Sequence, residues 1–129
     1  MWLSKKAVEL HEESIAQIGG VTIGGGNVAV YTDVEQRGLE LLSPGGYTWR
    51  PKVGQDVLVI KCGGEAVVAG AKQSGTPADF TAGEVYIKSD GAGSIYLKND
   101  GSLVVSGDTV INGTLSVQGR LFVNGNEIR

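Results

Sequence analysis

The feature that most restricts the fold of this chain is the close spacing of turn residues near its C-terminal end. The stretch SGDTVINGTLSVQGRLFVNGNEIR is interrupted by Asn112-Gly113, Gln118-Gly119 and Asn124-Gly125. Such pairs favour tight turns because Gly, and to a lesser degree Asn, tolerates positive φ. The runs between them are too short for strands of an ordinary sheet. The chain must therefore change direction every few residues, and it has few large side chains to bury.

Five short units with a common pattern follow one another from residue 84 onward. Each unit has two apolar residues separated by one position and is closed by a turn. The spacing between units is irregular, between six and twelve residues, so a strict solenoid repeat is not predicted. The ten apolar residues are Val85, Ile87, Ile95, Leu97, Leu103, Val105, Leu115, Val117, Leu121 and Val123.

A single copy of this segment is a poor folding unit. Full burial of its ten apolar side chains contributes roughly 15–30 kcal/mol, whereas ordering each backbone residue costs about 1–2 kcal/mol. Its strand edges would also stay open. Several copies wound around one axis cover both the apolar residues and the edges. We therefore predict that 84–129 is an intertwined, triple-stranded β-helix in a homotrimer, with the ten residues as its core. A single-chain meander packed on the preceding domain is the alternative, and it predicts a monomer.

The preceding part of the chain has the period of two that is typical of strands. Five short strands within about fifty residues, with one longer connection at 43–55, favour a small OB-type barrel over 21–71. The predicted strands are 21–23, 27–32, 37–42, 56–61 and 65–71. Residues 72–83 are polar and rich in turn residues, which indicates a linker or collar.

The first twenty residues have a different pattern. Leu3, Ala7, Leu10 and Ile18 fall on one stripe of a helix over 3–18, and Gly19-Gly20 would end it. Such a helix either packs on its own domain or docks on a partner or a neighbouring copy. The predicted fold is therefore all-β with a short N-terminal helix, divided into 1–20, 21–71, 72–83 and 84–129.

Composition excludes several classes of function. A net charge of −3 disfavours binding to nucleic acid, which requires a basic face. His11 is the only histidine, so neither a catalytic triad nor a Cys-His pair is supported. No CxxC or HxH spacing occurs. We expect no enzymatic activity, no cofactor and no metal site. Cys62 is the single cysteine, and we expect it to be a small buried residue.

The order of these parts resembles a known family. The stretch GYTWRPKVGQDVLVIKCGGEAVVAG (46–70) is similar to the barrel of the baseplate assembly protein V type, the Mu-like central spikes of contractile phage tails. GDTVINGTLSVQG is similar to their shaft repeats, and the resemblance covers about 21–129. The matching barrel positions are Tyr47, Trp49, Pro51, Gly54, Val57, Val59, Gly63, Gly64, Val67 and Val68.

The resemblance implies a mechanical function. Synthesised in the cytoplasm of a bacterial host, three copies would join the tail baseplate of the virion. They would dock under the tail hub proteins and pierce the host cell envelope. The alternative is a phage fibre or adhesin module that binds a host surface polymer through Tyr86, Tyr96 and Phe122.

The predicted tip departs from the family. Larger spikes close their point with an iron-binding HxH motif, but this chain has no histidine after residue 11. We expect closure without iron, by apolar packing of Val123 and Ile128. Such a flat end leaves room for a separate tip-capping protein.

Overall fold

The computed structural model describes residues 15–129, and all secondary-structure elements in this range are β-strands. The prediction of an all-β fold is confirmed for this range. The chain divides into two compact units, with the boundary between Gly75 and Thr76. Each unit is described separately below.

The N-terminal helix predicted over 3–18 is wrong at its end, where the structure describes it. Ile15 lies in a bend, and Ala16–Ile23 is the first strand, β1. A Cβ at Gly19 would lie 2.6 Å from both the carbonyl oxygen of Tyr31 and Cγ1 of Val30. This glycine therefore allows two strands to approach each other and does not end a helix. Residues 3–14 of the predicted helix lie outside the described residues.

Five strands close into a barrel, as the sequence predicted. After β1 come β2 (Val28–Tyr31), β3 (Glu35–Leu41), β4 (Asp56–Cys62) and β5 (Glu65–Ala71). Their order around the barrel is β1-β2-β3-β5-β4, which is OB-like. All neighbours are antiparallel except β3 and β5, which pair in parallel at Glu40–Val67 and Leu41–Val68. The barrel begins five residues earlier than the sequence predicted, because Ala16–Gly20 pair with β4.

The barrel core consists mainly of valines. Seven buried residues form one cluster: Val21, Val28, Val30, Leu39, Val57, Val59 and Val68. Trp49 packs against this cluster from the long connection, and Pro51 in the same connection is also buried. Four of the positions that resemble the spike family, Trp49, Val57, Val59 and Val68, thus lie in or against the core, whereas Tyr47 is exposed. The expectation of a buried Cys62 is wrong, since its side chain is exposed at the end of β4.

The second unit contains two small antiparallel sheets. The first is a meander of β6 (Val85–Lys88), β7 (Ser94–Leu97) and β8 (Leu103–Ser106), and the second is a hairpin of β9 (Leu121–Val123) and β10 (Asn126–Ile128). Residues 107–120 between them contain no strand, and no residue of 76–129 is buried. The meander pairs within one chain, as the single-chain alternative predicted for this segment, and the triple-stranded β-helix stays a prediction.

Candidate oligomerisation surface

One face of the β6–β8 meander is entirely apolar. The register places Val85, Leu97 and Leu103 in one row across the sheet. Ile87, Ile95 and Val105 form the next row. Because side chains alternate between the two faces of a strand, these six residues share one face. Each is between 40% and 59% exposed. We call these six residues the apolar face.

The opposite face of the same sheet carries its own aromatic cover. Tyr86 and Tyr96 are cross-strand partners whose rings meet edge to face at 5.5 Å between centroids. The ring of Phe80 lies 6.4 Å from Tyr86 and 5.9 Å from Tyr96. The proposed stacking platforms Tyr86 and Tyr96 therefore contact each other and Phe80. The two tyrosine rings are thus covered within the chain, although Val104 on this face is 43% exposed; the apolar face has no aromatic cover.

A carboxylate fastens the segment before β6 to the aromatic face. Oε1 of Glu84 accepts a hydrogen bond from the Tyr96 hydroxyl at 2.7 Å and another from the Thr81 N–H at 3.1 Å. Its Oε2 accepts one from the Asn99 N–H at 2.9 Å. The Tyr96 hydroxyl and these amides together lower the pKa of Glu84 from 4.5 to about 2. The same hydrogen bond raises the pKa of Tyr96 to about 12.

The C-terminal hairpin repeats this division into two faces. On one face, Leu121 pairs with Ile128, and Val123 pairs with Asn126. Leu121 and Ile128 are both exposed. On the other face, Arg120 forms two hydrogen bonds with Glu127, at 3.1 and 3.0 Å. The guanidinium carbon of Arg120 also lies 5.0 Å from the centre of the Phe122 ring. Phe122, the third proposed stacking platform, is therefore covered in part by an arginine.

A strict six-residue repeat links the two sheets, and the predicted pattern of apolar pairs does not include it. Glycine recurs at every sixth position: Gly101, Gly107, Gly113, Gly119 and Gly125. Counting from each of the first four glycines, the fourth following position is Val105, Ile111, Val117 or Val123. These four side chains are 45–51% exposed, so their surroundings are nearly the same in every repeat. The predicted apolar pairs do not include Ile111, because the residue at the second position of its repeat, Thr109, is polar.

The backbone supports the same period. Gly107, Gly113 and Gly119 have φ values of 123°, 148° and 135°, a region that side chains rarely adopt. Successive repeats thus turn at their glycines in a similar way. Leu115 and Val117 are both exposed, and neither lies in a strand. Of the ten predicted core residues, the two sheets place eight on exposed apolar faces, and these two lie between them.

Other candidate sites are weaker. A groove of about 550 Å³ lies beside β3, and its lining includes Glu40, Trp49 and Arg50. Within 15–129 there is no group of three or more His, Cys, Asp or Glu side chains that could hold a metal ion. No helix suited to crossing a membrane is found in that range either.

Comparison with known proteins adds no relative. No family model matches the chain, and no curated protein is significantly similar to it. Residues 15–129 are therefore all-β, with a closed OB-like barrel and a C-terminal unit whose apolar faces are uncovered in the single chain.

Proposed function

We propose that the protein is the homotrimeric central spike of a contractile phage tail or of a related injection machine. Its role is mechanical: it docks under the tail hub in the baseplate and pierces the host cell envelope. The observation that carries the proposal is the C-terminal unit, which buries no residue and exposes an apolar set that repeats along its length.

The exposed apolar residues are numerous enough to drive association. Full burial of a Val, Leu or Ile side chain is worth about 1.5–3 kcal/mol. Since the ten predicted core residues are about half exposed, burying the remainder would contribute roughly 8–15 kcal/mol per chain. Apolar residues that face solvent along a whole unit are typical of a surface that another molecule covers.

Another copy of the same chain is the partner that fits this surface. A partner must present apolar groups with a six-residue period over the same length, and a second copy does so by construction. On the opposite faces, Phe80 covers the tyrosines of the meander and Arg120 covers part of Phe122 on the hairpin. Copies that meet through the apolar faces therefore keep these partly covered aromatic rings outside.

Three copies fit better than two. A two-chain sandwich would cover the apolar faces but leave β6 and β8 as open edge strands and 107–120 without strand partners. Three chains around one axis provide each strand edge with a neighbour. In this arrangement 107–120 gains its backbone partners only between chains, and the glycines at 107, 113 and 119 form the corners of a triple-stranded β-helix.

The barrel is the part that we assign to hub docking. On the outer side of β1 and β4, Ile18 pairs with Leu58, and Ala16 pairs with Ile60. Ile18 is 52% exposed, and the side chains of Leu58 and Ile60 are half-buried. This apolar patch is continuous across two strands and supports a docking role.

The mass of the particle in solution tests the trimer. Light scattering coupled to size-exclusion chromatography at micromolar concentration should give three chain masses. A clean monomer would refute the architecture and with it the spike assignment.

A substitution on the barrel tests the docking role, and a truncation that spares the apolar patch is its control. Removing only residues 1–14 preserves β1 and should leave a folded trimer. Barrel variants in which Ile18 is replaced by Lys should also stay trimeric but lose incorporation into baseplates. If Ile18→Lys particles assemble normally, the patch is not the docking surface. A trimer that binds a glycan array and no baseplate component would favour the adhesin alternative.

A further inference from the structure

The six-residue repeat creates a difficulty for any assembly of identical chains. In the four repeats that begin at Gly101, Gly107, Gly113 and Gly119, the second position is leucine three times and the fourth position is Val or Ile. Apart from the residue at 109, sliding one chain by six residues past its neighbours therefore places leucine against leucine again within these repeats. Gly-rich strands specify their register weakly, since few side chains distinguish one alignment from the next.

One of these four repeats differs from the other three at the second position. Thr109 occupies the place of Leu103, Leu115 and Leu121, and it is followed by Ile111 at the regular apolar position. The glycines on either side, Gly107 and Gly113, keep the φ values of the repeat. Thr109 is thus a polar substitution within an otherwise regular apolar row, and no break in the backbone period accompanies it.

We propose that Thr109 forms a polar layer inside the trimer and holds the three chains in one register. This inference depends on the proposed trimer, and it identifies the residue that sets the alignment of its chains. With the chains in register, three Thr109 hydroxyls meet at one level, where each donates a hydrogen bond to the next and accepts one from the other neighbour.

A slip by one repeat breaks this arrangement. Thr109 of the displaced chain then faces Leu103 or Leu115 of its neighbours, and its hydroxyl is buried without a partner. An unsatisfied buried polar group costs its full desolvation penalty, whereas a satisfied one costs little. A single polar residue in the apolar core of a coiled coil selects register by the same physics.

Distances between spin labels test the proposal. In a Cys62→Ser background, a nitroxide is attached at Ser116→Cys, which is an outer position of the third repeat. Pulsed electron resonance on the intact trimer should give one distance, as expected for three equivalent chains. In Thr109→Val, which keeps the shape and removes the hydroxyl, we expect additional, longer distances from slipped chains. Thr109→Ser retains the hydroxyl and should keep the single distance.

Two controls make the outcome decisive. Thr114→Val is the same substitution at the first position of the next repeat, outside the apolar row, and it should keep one distance. The exchange Thr109→Leu with Leu115→Thr moves the polar layer by one repeat, and it should also keep one register. If Thr109→Val does not assemble, this exchange still decides the question, because a polar layer at 115 must restore a single distance.

The results that would refute the register proposal differ from those that would refute the trimer. A trimer in which Thr109→Val keeps a single distance would show that register is held elsewhere, and it would overturn this inference alone. Splitting in Thr114→Val, or in the exchange variant, would do the same. A monomeric parent protein would overturn the trimer together with its register.

Discussion

Replacing Val105 by Asp tests the apolar face most directly. Val105 lies on β8 opposite Ile95, and its side chain is 50% exposed in the single chain. In a trimer, three carboxylates would enter one apolar layer close to the axis. The desolvation penalty of a buried charge is several kcal/mol per ion, and mutual repulsion adds to it. We expect Val105→Asp to lose the trimer at micromolar concentration.

The neighbouring residue provides a matched control. Val104 lies on the same strand, is 43% exposed and faces the aromatic side opposite Tyr96. In an isolated chain, Val104→Asp and Val105→Asp therefore place a carboxylate in comparably exposed positions and should have similar small effects. In the trimer only Val105 enters the core, so Val104→Asp should retain three chain masses by light scattering.

A milder variant gives the size of the expected loss of stability. Val105→Ala removes two methyl groups, worth about 0.8 kcal/mol each when buried, which amounts to about 5 kcal/mol for three chains. Thermal unfolding followed by circular dichroism should therefore give a clearly lower midpoint for Val105→Ala than for Val104→Ala. Equal midpoints, together with equal masses for the two Asp variants, would refute the assignment of the apolar face to the core.

Three further predictions concern the pH response, the barrel and the tip. The pKa of Glu84 is lowered to about 2, so the stability that this carboxylate contributes is complete above pH 4.5 and is lost as the pH falls toward 2. The pKa of Tyr96 is raised to about 12, so the stability from the same hydrogen bond is complete below pH 10 and is lost as the pH rises toward 12. Urea unfolding at a series of pH values should show both losses of stability in the parent, and Tyr96→Phe should abolish the alkaline one. Gly19→Ala should destabilise the barrel by about 1–3 kcal/mol in urea unfolding, whereas Gly20→Ala, where a Cβ meets nothing within 4 Å, should cost less; equal costs would contradict the close approach at Gly19. Elemental analysis of the purified protein should find no stoichiometric iron, and one iron per trimer would contradict the apolar closure of the tip.

Local periodicity was sufficient to predict β2 to β5, the last residues of β1 and the apolar pairs. Val57 and Val59 alternate with less buried neighbours, and Gly63-Gly64 marks the turn that follows. Such alternation specifies a strand because only a period of two places every second residue on one face. Eight of the ten predicted core residues lie on the apolar faces of two sheets for the same reason. Whether those faces meet other chains is still a prediction.

The sequence by itself determined which segments of 21–128 alternate and where most of them turn. The tertiary structure decided the rest, since it depends on residues that are distant along the chain. The sequence alone predicts that Gly19 ends a helix, whereas in the barrel a Cβ at this position would lie 2.6 Å from atoms of Tyr31 and Val30 on the neighbouring strand. Cys62 looks like a core residue by composition, but its place at the end of β4 exposes it. The pairing of Val85 with Leu97 and of Leu121 with Ile128 likewise follows from strand register. A pattern of residue types fixes alternation along one strand, whereas only the backbone partners of that strand fix which surface each face meets.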